Sequence, residues 1–238
     1  MKKIFIKLQE TKVYEWSIKA HIPYLFMAIT LYIIKLLMYT ISSKINPNGH
    51  ILEMEIDKHI PFIKYFVIFY LTYYFMPIIL LWIVSFKDKN KFYLCIIAIF
   101  ITCFLSNIVY CIYNVKAVRP DYINPNMSIL DIRKFDHIFD YLVAKVYLID
   151  PSGLNCLPSI HSALGVYMMI LSISFDKEKR INIFLTIIGV TSSLMCIVST
   201  VFIKQHYFID TILGVLLAII VYIIVWFVYK KNSKVDLE

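Results

Sequence analysis

No stretch of this sequence is rich in glycine, serine or proline, and no segment repeats or falls into low complexity. A flexible linker between two folded units therefore has no candidate, and a single domain over 1–238 is the expectation. The chain has five cysteines but no CxxC pair, and four of them, Cys95, Cys103, Cys111 and Cys196, lie inside apolar runs. A thiol there acts as a small hydrophobe, which argues against a disulfide framework or a zinc site. The basic N-terminal stretch MKKIFIKLQETKVYEWSIK is followed by no small-residue cleavage motif, and the apolar run after it starts late and runs long. It reads as an uncleaved cytoplasmic segment rather than a signal peptide.

Charge is scarce as well, at 17% of residues, while 60% are hydrophobic, 16% aromatic, and the mean hydropathy is +0.73. Soluble domains hold roughly 45–50% apolar residues. This is the composition of a membrane protein. A crossing takes about 20 apolar residues, and six stretches meet or approach that: 24–43, 61–86, 92–115, 158–175, 181–203 and 206–229. The expected fold is all-α, a six-transmembrane helix bundle with an extracytoplasmic amphipathic helical loop. Lys35 falls inside the first span and must face protein or snorkel to the interface.

Six crossings put both termini on one side, with fourteen Lys and Arg there against nine on the other. The positive-inside tendency then predicts cytoplasmic termini and a multi-pass protein of the plasma membrane. The net charge of +8 is accounted for by topology, so no nucleic-acid partner is implied; the partners expected are the bilayer and a membrane lipid substrate. The longest external loop, 116–157, carries SILDIRKFDHIFDYLVAKVYLID, in which Ile132, Phe135, Ile138, Phe139, Leu142, Val143 and Val146 recur at helical spacing. Ser128 with Asp131 reads as its N-terminal capping pair, and the helix is expected to lie along the interface or over the end of the bundle.

The polar residues at span ends converge on that same face. Arg119-Pro120 follows the third span, Pro158-Ser159-Ile160-His161 opens the fourth, the fifth ends in Ser199-Thr200 and Lys204, and His206 and Asp210 open the sixth. Residues i and i+4 share a helix face, so Asp210 is expected to accept a hydrogen bond from His206 and fix its tautomer. That suits a histidine nucleophile, with His161 as the proton donor to the leaving group. Arg119 and Lys204 are suited to phosphate oxygens, and Ser159 can donate from a helix N-terminus. The arrangement describes phosphoryl transfer through a phosphohistidine. His21, His50, His59 and His137 have no such company and are expected at the surface or interface.

These residues resemble the type 2 phosphatidic acid phosphatase superfamily, whose signatures are KxxxxxxRP, PSGH and SRxxxxxHxxxD. The chain has VKAVRP, with Ile112 at the lysine position; PSIH, with Ile160 for glycine; and STVFIKQHYFID, with Thr200 for arginine. PSxHSA with STxxxxxHYxxD is most similar to the branch containing inositol phosphorylceramide synthases. The resemblance implies His206 as nucleophile, Asp210 orienting it, and His161 as acid. Arg119, Ser159, Thr200, Lys204 and Lys116 would bind phosphate, and no metal or other cofactor is implied. The expected function is a lipid phosphatase cleaving a phosphomonoester or pyrophosphate. Its rivals are a lipid phosphotransferase moving a phosphoalcohol headgroup to a lipid hydroxyl, and a catalytically silent scaffold or transporter. Oligomeric state is not legible.

Overall fold

The structure, a computed structural model, describes residues 2–120, 137–174 and 180–235, with side chains over 18–120, 137–174 and 183–232. Among the described residues the regular structure is helical, and a lone bridge between His50 and Val115 is the sole extended pairing. The elements in chain order are α1 (Lys2–Ile45), α2 (Glu55–His59), α3 (Val67–Leu71), α4 (Met76–Ser85) and α5 (Lys89–Ile112). Then follow α6 (Ile138–Ile149), α7 (Ile160–Ile173), α8 (Arg180–Phe202) and α9 (Phe208–Val235).

Four helical stretches are long and apolar enough to cross a membrane: Ile18–Ile45, Lys89–Ile112, Ile183–Phe202 and Phe208–Asn232. The second expected span, 61–86, is a bent pair, Lys64–Tyr74 and Met76–Ser85, with a 40° angle between them. Pro77 in the first turn of α4 explains the break, because proline has no N–H for the preceding turn yet fits the start of a helix. The fourth expected span, 158–175, holds a helix that is apolar but not among those four stretches. Its helix α7 has 14 residues and extends about 21 Å, against about 30 Å of hydrocarbon. Residues 158–168 are buried without interruption, while Ile173 at the far end is exposed, so neighbours cover every side of the helix over its first nine residues.

That central helix organises the rest. It packs on α8, α9, α5 and α4, while α1 packs on α4 and α5. Close approach is bought by small residues: a Cβ on Gly214 of α9 would lie 2.2 Å from the Ser159 carbonyl, and one on Gly165 of α7 would lie 2.5 Å from Ile197. The Gly214 contact sets the N-terminus of α7 directly against α9, beside the residues that precede α9. Ser159 caps α7, its hydroxyl oxygen accepting the Ser162 N–H at 3.2 Å.

The amphipathic helix expected in the 116–157 loop is present as α6, but Ser128, Asp131, Ile132 and Phe135 lie outside the described residues. His21 departs from expectation. It is buried, bonded to Ser85 Oγ at 3.0 Å and stacked on Phe86. His50, His59 and His137 are exposed.

Candidate active site

The loop between α8 and α9 is tied down from both ends before it presents a side chain. The Thr200 carbonyl accepts the N–H groups of Gln205 and His206, at 3.0 and 3.1 Å. At the start of α9, Asp210 accepts the Tyr207 N–H at 2.9 Å, and Asp57 accepts the Phe208 N–H at 2.7 Å. Asp57 also accepts the Met54 N–H at 2.8 Å, so one buried carboxylate caps α2 and α9 together. Helix N-terminal donors that would otherwise be orphaned thus fix the backbone on either side of His206.

From that fixed loop His206 meets His161 of α7, with His206 Nε2 and His161 Nδ1 2.8 Å apart. The outer nitrogens define the protons. His206 Nδ1 lies 3.1 Å from the Cys156 carbonyl, which can only accept, so Nδ1 carries hydrogen and Nε2 carries the lone pair. His161 therefore donates from Nδ1, and its Nε2 accepts from the Tyr70 hydroxyl at 2.7 Å. One assignment satisfies every member: Tyr70 to His161 to His206 to Cys156. Both rings are buried, and Tyr70 and Tyr73 pack on His161 with centroids at 4.8 and 4.1 Å.

Asp210 does not make the direct bond expected of it. Its carboxylate is 3.8 Å from His206 Nδ1 and is committed to the Tyr207 N–H. His206 precedes α9 rather than lying on it, so the i, i+4 geometry of a helix does not apply, and the Cys156 carbonyl takes the orienting role. Asp210 still places a negative charge beside the nitrogen, and its Oδ1 is buried without a partner.

Arg119 reaches the site from the segment after α5. Its guanidinium lies over the Tyr147 ring at 4.6 Å and donates to the carbonyls of Tyr147 and Asp150, at the C-terminal end of α6. It also donates to Asp150 Oδ2 at 3.3 Å and to Gln205 Oε1 at 3.1 Å. Its Nε is left buried with no partner, and so is Gln205 Nε2. Two unanswered N–H donors in one buried cluster are costly and fit the oxygens of an anion. Gln205 was missed in the sequence, though it stands next to His206 in the third signature.

The remaining candidates divide. A cavity of about 230 Å3 is lined by Arg119, Lys204, His206 and Tyr207 together with Glu53 and Asp57. Lys204 donates to the carbonyls of Asp57 and Ile60, at 2.9 and 2.6 Å, which leaves one ammonium proton for a ligand. Burial lowers its pKa from the ordinary lysine value, opposed by Asp57 and Glu53. Ser159 accepts from Ser162 twice and keeps its own hydroxyl proton to donate. Thr200 is committed elsewhere, its hydroxyl donating to the Ile197 carbonyl and paired with Thr211 at 3.0 Å. Lys116 is exposed and borders neither cavity of the site.

On the His161 side lies a second cavity, about 260 Å3, lined by Tyr70, Tyr73, Tyr39, Asp150 and Lys35. Among the described residues a possible metal-ligand group exists, Cys156, His206 and Asp210, with ligand atoms within 4.8 Å of one another. Burial, reinforced by Asp210 and Asp150, pushes the Cys156 thiol well above its ordinary pKa. A metal would have to displace that proton.

A family model described as PAP2 superfamily, the type 2 phosphatidic acid phosphatases, matches residues 45–224. No curated protein and no solved structure matches the chain significantly. The chain belongs to the PAP2 superfamily, and membership points to a phosphatase-type enzyme acting in a membrane.

Proposed function

We propose that this protein is an integral membrane lipid phosphatase, cleaving a lipid phosphomonoester or pyrophosphate through a phosphohistidine on His206. The observation that carries it is the 2.8 Å contact of two buried imidazoles beside the unpartnered donors of Arg119 and Gln205. In the resting chain His161 caps the nucleophilic lone pair. Phosphate entering between the rings takes the place of that contact, with its oxygens on Arg119 Nε, Gln205 Nε2, Ser159 and Lys204.

In the first step His206 Nε2 forms a bond to phosphorus while the bond to the leaving oxygen breaks. His161, as imidazolium, gives its Nδ1 proton to that oxygen. Tyr70 holds His161 in both charge states, because a phenol hydroxyl can donate to Nε2 or accept from Nε2–H. In the second step a water attacks phosphorus, its proton passes to His161, and the N–P bond breaks to release phosphate. With a lipid phosphodiester as substrate, His206 would instead take the phosphoalcohol headgroup while the lipid alcohol leaves with the His161 proton, and a lipid hydroxyl in place of water would then accept that headgroup, the phosphotransferase reaction of the inositol phosphorylceramide synthase-like branch.

All six apolar segments, α7 included, are taken as crossings of the plasma membrane within a single domain. The Lys and Arg distribution then supports cytoplasmic termini and a site on the extracytoplasmic face. The test is phosphate release by the purified protein from a panel of lipid diphosphates, phosphatidate and phosphatidylglycerol phosphate, with His206→Ala as control. Free phosphate that disappears in the control is the expected result. Headgroup exchange would indicate a transferase, and no turnover of any lipid would overturn the enzyme reading.

A further inference from the structure

Lys35 has no part in the chemistry above, yet it borders it. It lies on α1, 7% exposed, with its ammonium 3.2 Å from the Tyr73 hydroxyl and 4.5 Å from the ring centroids of both Tyr32 and Tyr73. No ion pair to it occurs among the described residues. A buried cation supported by neutral groups alone is unfavourable unless a counter-charge arrives. Lys35 lines the same cavity as His161. The carboxylate in that cavity, Asp150, is already engaged by Arg119, Tyr39 and Ser152.

The position of this cavity relative to the reaction carries the argument. Displacement at phosphorus is in line, so a group attacked by His206 expels its leaving oxygen on the opposite side. His161 stands on that side as the proton donor, and the Lys35 cavity begins at its ring. Leu36, 60% exposed, also lines the cavity and opens it along the outer flank of α1, where an apolar tail can leave toward lipid. A phosphomonoester would expel a neutral alcohol into this space and leave Lys35 unanswered. A diphosphate would expel a lipid monophosphate, whose charge Lys35 would meet.

We propose that Lys35 and the Tyr73 hydroxyl form a second anion subsite for the tail-proximal phosphate of a lipid diphosphate, with the terminal phosphate held between His161 and His206. The inference rests on His206 as nucleophile and His161 as acid. In the step, the His206 Nε2 bond to the terminal phosphorus forms and the bond from that phosphorus to the bridging oxygen breaks. The bridging oxygen takes the His161 proton and leaves as part of the lipid monophosphate, beside the Lys35 ammonium.

The test uses farnesyl diphosphate and farnesyl monophosphate as probes and measures binding to the full chain carrying His206→Ala. The diphosphate should bind at least about 30-fold tighter than the monophosphate, the scale of a hydrogen-bonded charge contact. Adding Lys35→Met should cut that ratio to under about threefold and leave monophosphate affinity within about threefold, whereas Lys35→Arg should keep the preference. Equal affinity for the two probes, a preference that survives Lys35→Met, or loss of both ligands together would overturn the subsite. The catalytic assignment fails separately: phosphate release by His206→Ala at the wild-type rate would overturn the nucleophile, whatever the binding ratio.

Discussion

The cavity beside His206 and the cavity beside His161 are close in size, about 230 and about 260 Å3, but different parts of the chain line them. Arg119, Lys204 and His206, all from the signature segments, line the first beside Glu53 and Asp57. Beside Ile160 and His161 of the second signature, the second draws Lys35 and Tyr39 from α1 and Tyr70, Tyr73 and Tyr74 from the bent segment, none of which belongs to a signature. Phosphate chemistry demands donors at fixed positions around one phosphorus, so its residues occur in recognisable patterns. The group that departs is accommodated by whatever helices happen to flank the acid. The first cavity is therefore expected to govern whether the reaction occurs, and the second which substrate undergoes it.

Substitutions on the two sides should break this comparison differently. Apart from removal of the nucleophile itself, the largest loss should come from Arg119→Ala, which removes the unpartnered Nε donor and also releases Asp150 and Gln205. A fall of about 10² to 10³ in kcat/KM is expected, the range for losing one positioned anion donor, measured by phosphate release with melting temperature as a folding check. Tyr70→Phe should cost about tenfold in kcat with little change in KM, since the phenol holds the acid rather than the substrate. Its pH profile should shift, and an unchanged profile would reduce Tyr70 to a packing residue. Thr200→Val should change kcat/KM by less than about threefold. It should instead lower stability by about 1 kcal/mol through the lost bond to Thr211, read in a melting curve. Smallest of all, Cys156 should resist alkylation at pH 8 while the partly exposed Cys111 reacts, because burial keeps the Cys156 thiol protonated.

The topology has its own check. A cysteine placed at exposed Lys58 on α2 should react with an impermeant reagent added outside intact cells. Labelling from the cytoplasmic side alone would invert the proposed orientation.

Sequence legibility followed the same division. His161, His206 and Arg119 were found by spacing and sidedness, and the structure brings them together. Asp210 was found for a bond it does not make, because the helix starts two residues after His206 and the intervening loop replaces helical geometry. Thr200 and Lys116 stood in for the arginine and lysine that the signatures have and this chain lacks, but hydrogen bonding to Thr211 and exposure keep their side chains out of either cavity. Gln205, Tyr70 and Asp57 were not legible. Their roles depend on contacts such as Tyr70 to His161, 91 residues apart, which no local period reports. The apolar runs located the helices well, yet run length did not reveal that 61–86 bends at Phe75 or that α7 is 14 residues long. A helix sheltered by neighbours and one facing lipid have the same composition.

The most direct measurement is to quench the protein during turnover of a substrate labelled with 32P in the transferred phosphate and locate the label. The account predicts acid-labile, alkali-stable phosphate on the peptide containing His206, and none in His206→Ala. Label on another residue, or turnover that persists without His206, would contradict it.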